Sequence, residues 1–189
     1  MSDDALLELL RRTGFRRGRF TLTSGRESDF FIDCKPAVLR AEGHLLVGRA
    51  LRAALAGLPG PVGAVAGVEL GGCPLASAVA TVSALEGAPL DAVYVRKQAK
   101  GHGSKKQLEG ADHLDGARLA ILEDTVTTGG STIRAAQTLT DAGFVVAGVL
   151  AVVDREEGAR EAIEAAGHAF VSLYRRRDFM GDATPEAAP

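Results

Sequence analysis

From residue 36 onward, short blocks of nearly continuous aliphatic residues alternate with longer segments whose apolar positions recur at helical spacing. Continuous aliphatic blocks are typical of strands buried on both faces, and the longer segments are typical of amphipathic helices. Regular alternation of the two indicates an α/β fold, with a central parallel sheet flanked by helices. The predicted strands are residues 62–67, 92–95, 118–122, 145–153 and 169–173, and the predicted helices are residues 36–56, 74–85, 131–142 and 156–166.

The N-terminal part of the chain has a different pattern. A stripe of leucines at helical spacing predicts a helix, with Ser2 as its N-cap and Gly14 as its stop. Residues 20–22 and 30–33 predict two short strands, and the turn-forming residues between them indicate a hairpin. We expect one domain over residues 1–189, comprising a helix and hairpin in about 1–35, an α/β core in about 36–175 and a disordered tail at 183–189.

Composition narrows the class of protein. Lys and Arg number 22 and Asp and Glu number 24, so the net charge of −2 argues against a broad polyanion-binding surface and against a nucleic-acid partner. The longest apolar run, residues 144–153, is far shorter than the roughly 20 residues that cross a bilayer, so we expect no membrane partner. Cys34 and Cys73 lack metal-binding or disulfide-type spacing, and the N-terminus lacks signal-peptide features, which favours a cytoplasmic location.

The most informative segment follows the third strand of the predicted core. Two adjacent carboxylates, Glu123 and Asp124, precede a run of hydroxyls and glycines at residues 125–131, where a helix is predicted to begin. Glycines let backbone N–H groups approach an anion, and a helix N-terminus adds partial positive charge. Carboxylates repel a phosphate but suit a ribose diol or a magnesium-bound water. The segment therefore predicts a ligand with both phosphate and ribose; the alternative is an ordinary turn capped by Ser131.

This segment resembles the phosphoribosyl-pyrophosphate (PRPP) binding motif of the type I phosphoribosyltransferases. The resemblance implies their Rossmann-like fold with a small N-terminal hood. It also implies that Glu123 and Asp124 contact the ribose hydroxyls and that a loop from Thr127 to Ser131 holds the 5′-phosphate. The PRPP-binding residues expected in this segment are Glu123, Asp124, Thr125, Val126, Thr127, Thr128, Gly129, Gly130 and Ser131.

A second segment, residues 94–106, contains five cations and one histidine but no acidic residue. Its composition favours a mobile loop suited to closing over a charged leaving group such as pyrophosphate; the alternative is a solvated basic loop or a weak nucleic-acid patch. The segment resembles the catalytic loop of the orotate-specific members of the family. The resemblance implies a homodimer in which the loop of residues 96–110 is shared between subunits. It also implies PRPP contacts from Arg96, Lys97, Lys100 and His102.

Two more segments match the same family in the expected order. Residues 23–33 resemble its N-terminal signature, which implies that Phe30 and Phe31 contact the orotate ring, although core packing of a hairpin also explains this aromatic pair. Residues 67–76 resemble its pyrophosphate loop, with Gly71 and Gly72 as backbone donors, although a plain strand-to-helix turn has the same composition. Some relatives carry lysine at the positions of Thr23 and Gly71, so this chain lacks two of their cations.

Arg155 follows the predicted strand at residues 145–153, where a guanidinium can bind a carboxylate through two parallel hydrogen bonds. The resemblance implies that Arg155 binds the orotate carboxylate and that Thr127 also contacts the base. The alternative for this arginine is a strand-end salt bridge with Asp154 or Glu157.

Together these matches predict a pentosyltransferase that moves the 5-phosphoribosyl group of PRPP onto orotate, giving orotidine 5′-phosphate and pyrophosphate in pyrimidine synthesis. Mg²⁺ is the expected cofactor, bound mainly through PRPP, with Glu123 or Asp124 as partners through water and no direct protein ligand assigned. Two alternatives stay open: an enzyme of the family for another base, such as a purine, and a PRPP-sensing regulator without catalysis. Catalytic roles are expected for Arg96, Lys100, His102 and Asp124.

Overall fold

A six-stranded sheet forms the centre of the molecule, and an antiparallel hairpin lies beside it. The structure is a computed structural model, and it describes residues 4–21, 27–97 and 107–180. In chain order its elements are α1 (Ala5–Thr13), β1 (Phe15–Thr21), β2 (Glu27–Ile32), α2 (Lys35–Val38), α3 (Ala41–Ala54), a 3-10 turn (Leu55–Gly57), β3 (Ala64–Val68), α4 (Gly72–Leu85), β4 (Asp91–Val95), β5 (Leu108–Glu109), β6 (Arg118–Val126), α5 (Gly130–Asp141), β7 (Val145–Asp154), α6 (Ala159–Ala165), β8 (Phe170–Arg175) and α7 (Arg176–Met180).

The strands lie in the order β5-β4-β3-β6-β7-β8. All of them except the edge strand β5 run parallel to one another. The predicted α/β architecture is confirmed. One detail of it is wrong, because β5 pairs antiparallel with β4 and makes the sheet mixed. This strand has only two residues and lies within a polar, glycine-bearing stretch, so its sequence has no hydrophobic period from which a strand could be predicted.

Each face of the sheet has its own apolar cluster, because successive side chains of a strand point to opposite faces. Val65 and Ala120 belong to the cluster that α1, α3 and α4 cover, whereas Ala66 and Ile121 belong to the one that α5 and α6 cover. The core is aliphatic, as the low aromatic content requires. Full burial of a side chain such as that of Leu150 contributes about 2 kcal/mol, so the strands are held mainly by these two layers.

Three local predictions need correction. The single helix predicted over residues 36–56 is two helices, α2 and α3, because Arg40 adopts an extended conformation between them. The first strand of the hairpin begins at Phe15 rather than at residue 20. Its exposed arginines interrupt the alternation of apolar and polar residues from which a strand is predicted. The N-cap of α1 is Asp4, whose Oδ1 accepts a hydrogen bond of 3.2 Å from the backbone N–H of Leu7.

The remaining boundary differences lie at element ends. Helix α6 begins at Ala159 rather than at residue 156, since a turn at residues 155–158 precedes it. The short helix α7 was not predicted, although its Phe179 is buried against the hairpin residue Phe15. Ser2 and residues 183–189 lie outside the described residues. Within the described ranges, none of the helices has the length and apolar character needed to span a membrane.

Candidate active site

The carboxyl ends of four neighbouring strands, β4, β3, β6 and β7, meet along one edge of the sheet. Their registers align Val68 with Val95 and Val126 with Asp154, so the segments that follow these strands are neighbours. All motif segments singled out in the core of the sequence follow one of these strand ends. Ligands of open α/β sheets bind at such carboxyl edges, so the fold brings the predicted site together there.

Glu123 lies within β6, not in a loop, because this strand continues to Val126. Its side chain is 6% exposed, and its Oε1 accepts hydrogen bonds from Ser131 at 3.3 Å and from Thr132 at 3.1 Å. Burial and the neighbouring charge of Asp124 raise the pKa of Glu123 to about 7, although these two hydroxyls act in the opposite direction. Two hydroxyls in the first turn of α5 thus hold a carboxylate that gains and loses its proton near neutral pH.

Asp124 lies against the glycine turn that precedes α4. A Cβ at Gly71 would overlap the Asp124 carboxylate in its present position, so a larger residue here would displace that side chain. Lys35 Nζ lies 3.7 Å from Asp124 Oδ2 and 2.7 Å from Asp33 Oδ1. Partial burial opposes its charge, but the pKa of Lys35 is raised by its hydrogen bond to Asp33 and by the Asp124 carboxylate. Asp124 therefore faces a cation on the side of α2.

The predicted phosphate loop joins β6 to the N-terminus of α5. Gly129 has φ of 77°, a left-handed conformation that favours glycine, and its carbonyl accepts the first helical hydrogen bond from Ile133 at 2.9 Å. Thr127 is half-buried and Thr128 is exposed at the mouth of the loop. The N–H groups of the first helical turn lack partners within the helix, which leaves them for an anion.

Two other motif residues offer little side-chain surface in this region. Val126 is buried in the core, so its contribution to a ligand is confined to its backbone. Thr125 lies beside the buried thiol of Cys34, with Oγ1 and Sγ 3.5 Å apart. Burial raises the pKa of Cys34 to about 12, so this cysteine is a structural residue at the back of the site.

The turn after β3 also contacts the start of the basic segment after β4. The backbone N–H of Glu69 donates to Val95 O at 2.9 Å, and Glu69 Oε2 accepts from the backbone N–H of Lys97 at 3.0 Å. The Glu69–Leu70 peptide is cis. Gly72 packs against the carbonyl of Leu122, where a Cβ would overlap. The glycine turn and β6 are therefore in close backbone contact.

Arg96 and Lys97 place two cations at the end of β4. The backbone N–H of Arg96 donates to Gln107 O at 2.8 Å, which closes the base of the basic loop. Together with Arg134 of α5, Arg96 and Lys97 line a cavity of about 330 Å³. A cavity with three cations beside the phosphate loop suits an anionic ligand.

Lys100 and His102 lie outside the described residues, as does Thr23. Their predicted roles therefore stay predictions, as does the sharing of the 96–110 loop between subunits. On the C-terminal side of this loop, Leu108–Glu109 form the short strand β5 and pair with β4, so the residues that flank the loop are anchored at the edge of the sheet.

Arg155 is buried at the carboxyl end of β7, with 5% of its surface exposed. Its backbone N–H donates to Val126 O at 3.1 Å, which ties the arginine to the strand that carries the two carboxylates. Its guanidinium lies 4.5 Å from the centre of the Phe30 ring, and its Nη2 donates to Ser28 Oγ at 3.0 Å. The predicted alternative partner is also present, because Glu157 Oε1 lies 2.8 Å from Arg155 Nε.

The two aromatic residues predicted to contact the orotate ring differ in exposure. Phe30 is 2% exposed and packs against Phe15, with ring centres 6.4 Å apart, so its side chain belongs to the core. Phe31 is 40% exposed and contacts Phe20, with ring centres 5.7 Å apart. The core-packing alternative therefore describes the Phe30 ring, whose visible partner at the site is the Arg155 guanidinium.

The donor set fits magnesium only as a substrate-borne ion. Among the described residues, no group of three or more His, Cys, Asp and Glu side chains is placed to hold a metal. Glu123 and Asp124 are adjacent in a strand, so their side chains leave it on opposite sides. Mg²⁺ is commonly bound by one or two carboxylates together with substrate phosphates and waters, and either carboxylate suits that role.

Strand β6 carries two carboxylates and is followed by a loop that leads to a helix N-terminus suited to an anion. This order of features is that of the type I phosphoribosyltransferases, and the chain is an enzyme of this class. An orotate phosphoribosyltransferase of Sorangium cellulosum is 56% identical over 183 residues, covering 96% of this chain and 95% of the relative. The chain belongs to the orotate phosphoribosyltransferase family. No protein-family model matches the chain.

Solved structures agree with this assignment. A crystal structure of the Mycobacterium tuberculosis orotate phosphoribosyltransferase in complex with Fe(III) dicitrate is 40% identical, with a TM-score of 0.80, and covers 93% of this chain and 97% of that one. The same enzyme in complex with PRPP is 37% identical, with a TM-score of 0.76, over 94% of this chain and 98% of that one. The similarity extends over nearly the whole of both chains.

The structure also adds residues that the sequence reasoning missed. Lys35 reaches Asp124 from α2, and no spacing in the sequence indicates that contact. Thr132 donates to Glu123 from α5, and its full burial, which requires a polar partner, is visible only in the structure. Ser28 contacts the Arg155 guanidinium from the hairpin, 127 residues earlier in the chain.

Proposed function

We propose that the chain transfers the 5-phosphoribosyl group of PRPP to N1 of orotate, with Mg²⁺, as a homodimer in the cytoplasm. One observation carries the assignment of substrates to this site. A buried arginine, which suits a carboxylate, is joined by its backbone to the strand that carries the two carboxylates and the phosphate loop. A base with a carboxylate and a phosphorylated ribose therefore fit side by side.

PRPP binds along the β6–α5 segment. The backbone N–H groups at residues 128–131 and the N-terminus of α5 hold the 5′-phosphate, with the hydroxyl of Thr127 or Thr128 as a further donor. Glu123 and Asp124 accept hydrogen bonds from the ribose hydroxyls. Glu123 is held by Ser131 and Thr132, and Asp124 faces Lys35.

Orotate binds between the hairpin and the end of β7. Arg155 pairs with its carboxylate, and exposed Phe31 lies on the same hairpin strand as Ser28, which contacts the arginine. Thr127 follows β6, whose last residue aligns with the residue before Arg155, so its hydroxyl is within range of the base. A purine has no carboxylate for Arg155, so this site favours orotate.

In the reaction the bond from C1′ to the pyrophosphate oxygen breaks as an electron pair of orotate N1 forms the new bond to C1′. Orotate enters as the N1 anion, so a strong general base is unnecessary. Arg96, Lys97, Lys100 and His102 stabilise the negative charge that develops on pyrophosphate, and the basic loop excludes water. When bound together with PRPP, Mg²⁺ would add positive charge at the leaving group.

The homodimer proposal is supported by exposed apolar side chains beside the site. Leu39 lies one helical turn after Lys35 and is 67% exposed, and Leu70 precedes Gly71 and is 68% exposed. Exposed large aliphatic residues next to a charged site are typical of a surface that a partner covers. The cytoplasmic proposal is supported by two cysteines that are both free.

Substrate choice is the experiment that tests the function. The purified chain is incubated with PRPP and Mg²⁺ and, in separate reactions, with orotate, uracil, adenine, hypoxanthine or guanine. Turnover of orotate well above all other bases is expected. Rapid turnover of a purine without orotate turnover would refute the proposal, and binding of PRPP without turnover of any base would support a regulator instead.

Subunit mixing tests the shared site. Subunits with Lys100→Ala lack the basic-loop lysine, and subunits with Asp124→Asn lack the carboxylate of their own PRPP site. If the loop of one subunit serves the other, mixed dimers regain activity that neither variant has alone. Absence of recovery in mixtures whose mixed dimers are verified by native mass spectrometry would refute loop sharing.

A further inference from the structure

The turn after β7 folds back so that one of its carboxylates reaches the arginine that precedes it. Asp154 Oδ1 accepts a hydrogen bond of 2.8 Å from the backbone N–H of Glu156, and Glu156 has φ of 58°. This left-handed conformation is unfavourable for a residue with a Cβ. It brings Glu157 Oε1 to 2.8 Å from Arg155 Nε. Strained residues of this kind persist where the surrounding contacts favour them, often at functional sites.

A second contact reaches the same guanidinium from the hairpin. Arg155 Nη2 donates to Ser28 Oγ at 3.0 Å, and Ser28 Oγ in turn donates to the carbonyl of Phe30 at 2.8 Å. The ring of Phe30 lies under the guanidinium, 4.5 Å from Cζ to the ring centre. The arginine is therefore fixed in its plane by two polar contacts and against one face by an aromatic ring.

The two polar contacts hold different nitrogens of the guanidinium. Glu157 forms an ion pair at Nε, and Ser28 accepts a hydrogen bond from Nη2, so the planar group is held at two points. A carboxylate that binds through two parallel hydrogen bonds needs a guanidinium of fixed plane, which these contacts provide.

We propose that Glu157 and Ser28 are positioning residues that orient Arg155 and thereby set the preference for a base that carries a carboxylate. The inference rests on the proposed function, since it assumes that Arg155 binds the carboxylate of orotate. Glu157 is 14% exposed at its side chain and balances the charge of the buried arginine before substrate arrives. A buried guanidinium without such a partner would turn toward other acceptors and lose its orientation.

The two residues differ in what they contribute. Glu157 supplies charge and orientation, so Glu157→Ala should raise KM for orotate about tenfold, the value of one charge-assisted contact. Glu157→Gln keeps an acceptor oxygen and should be intermediate. Ser28→Ala removes a neutral acceptor and should raise KM for orotate about threefold. Since the PRPP site is built by other residues, KM for PRPP should stay unchanged in all three variants.

The experiment measures kcat and KM for orotate and for PRPP, the turnover of uracil, and the thermal midpoint of each variant. Uracil lacks the carboxylate, so its turnover should be unaffected, and the preference for orotate should fall by the same factor as orotate binding weakens. Arg155→Ala is included to test the proposed function itself. Glu164→Gln is the matched control, because Glu164 pairs with Arg160 at 3.2 Å on the surface of α6.

The outcomes separate the two proposals. If Arg155→Ala raises KM for orotate about a hundredfold but Glu157→Ala leaves it unchanged or lowers it, the positioning role is refuted and the proposed function stands. Unchanged orotate binding in Arg155→Ala would refute the carboxylate contact on which the inference rests. Equal weakening of orotate, uracil and PRPP by Glu157→Ala would show a loss of fold rather than of orientation, and would also refute the positioning role.

Discussion

Glu123 is the carboxylate whose environment makes the sharpest quantitative prediction. Burial and the adjacent Asp124 raise its pKa from 4.5 to about 7, while Thr132, Ser131 and Lys97 oppose the shift. One pKa unit corresponds to about 1.4 kcal/mol, so the ionised side chain costs the ligand-free protein about 3 kcal/mol at alkaline pH. Glu123→Gln removes the charge but keeps an acceptor for both hydroxyls.

The pH dependence has a definite direction. Between about pH 5 and pH 7 the folded protein holds a proton on Glu123 that the unfolded chain has released, so stability falls as pH rises through this range. Below about pH 4 both states are protonated and the penalty is absent. Relative to the wild type, Glu123→Gln should therefore be more stabilising at about pH 8 than at about pH 5, by about 2 to 3 kcal/mol.

The assay is urea unfolding of the ligand-free protein at both pH values, followed by circular dichroism. Glu164→Gln, on the surface of α6, is the control and should show no such pH-dependent gain. The same variant at Glu123 should bind PRPP more weakly, because an amide accepts poorly at a site built for ribose hydroxyls and lacks the carboxylate charge. An equal effect on stability at both pH values would refute the assignment of a buried, partly protonated Glu123.

Three other substitutions test the site. Gly71→Ala would place a Cβ in the Asp124 carboxylate, so KM for PRPP should rise about tenfold. Gly63→Ala is the control, because its new Cβ makes only ordinary contact, and it should leave KM for PRPP unchanged. Equal kinetics for the two variants would contradict the close approach of Gly71 to Asp124. Lys35→Met removes the cation beside Asp124 and should raise KM for PRPP about threefold. Its cost in the free energy of unfolding by urea should stay below about 1 kcal/mol, because the ion pair is partly exposed. Unchanged PRPP kinetics would exclude Lys35 from the site. Lys100→Ala should lower kcat without changing the thermal midpoint, and unchanged kcat would remove this lysine from the mechanism.

Features formed by contiguous residues could be predicted from this sequence, whereas contacts between distant segments could not. The PRPP segment was predicted at the right strand end because its residues are contiguous, and a strand followed by a glycine-bearing helix start is a local pattern. The position of Glu123 inside β6 was not predicted, since a carboxylate in a strand breaks the hydrophobic run that marks strands. For Phe30 the sequence leaves both a ligand contact and core packing open, and tertiary packing places its ring in the core.

Contacts between distant segments were beyond the sequence reasoning for a physical reason. Ser28 and Arg155 meet only because the hairpin lies beside the end of β7, and Lys35 meets Asp124 only because α2 lies beside the end of β6. Such contacts arise from the sum of many weak packing interactions and leave no period or spacing in the chain.

The main strands and helices in their order, the class of ligand and the family are predictable from the sequence, because each depends on the hydrophobic period or on a contiguous motif. How the side chains act depends on the tertiary structure. In the folded chain Glu123 is buried, which raises its pKa, and Gly71 lies close against Asp124. Arg155 contacts Ser28, Glu157 and the ring of Phe30. Charge, burial and orientation depend on neighbours in space, and these neighbours come together only when the sheet forms.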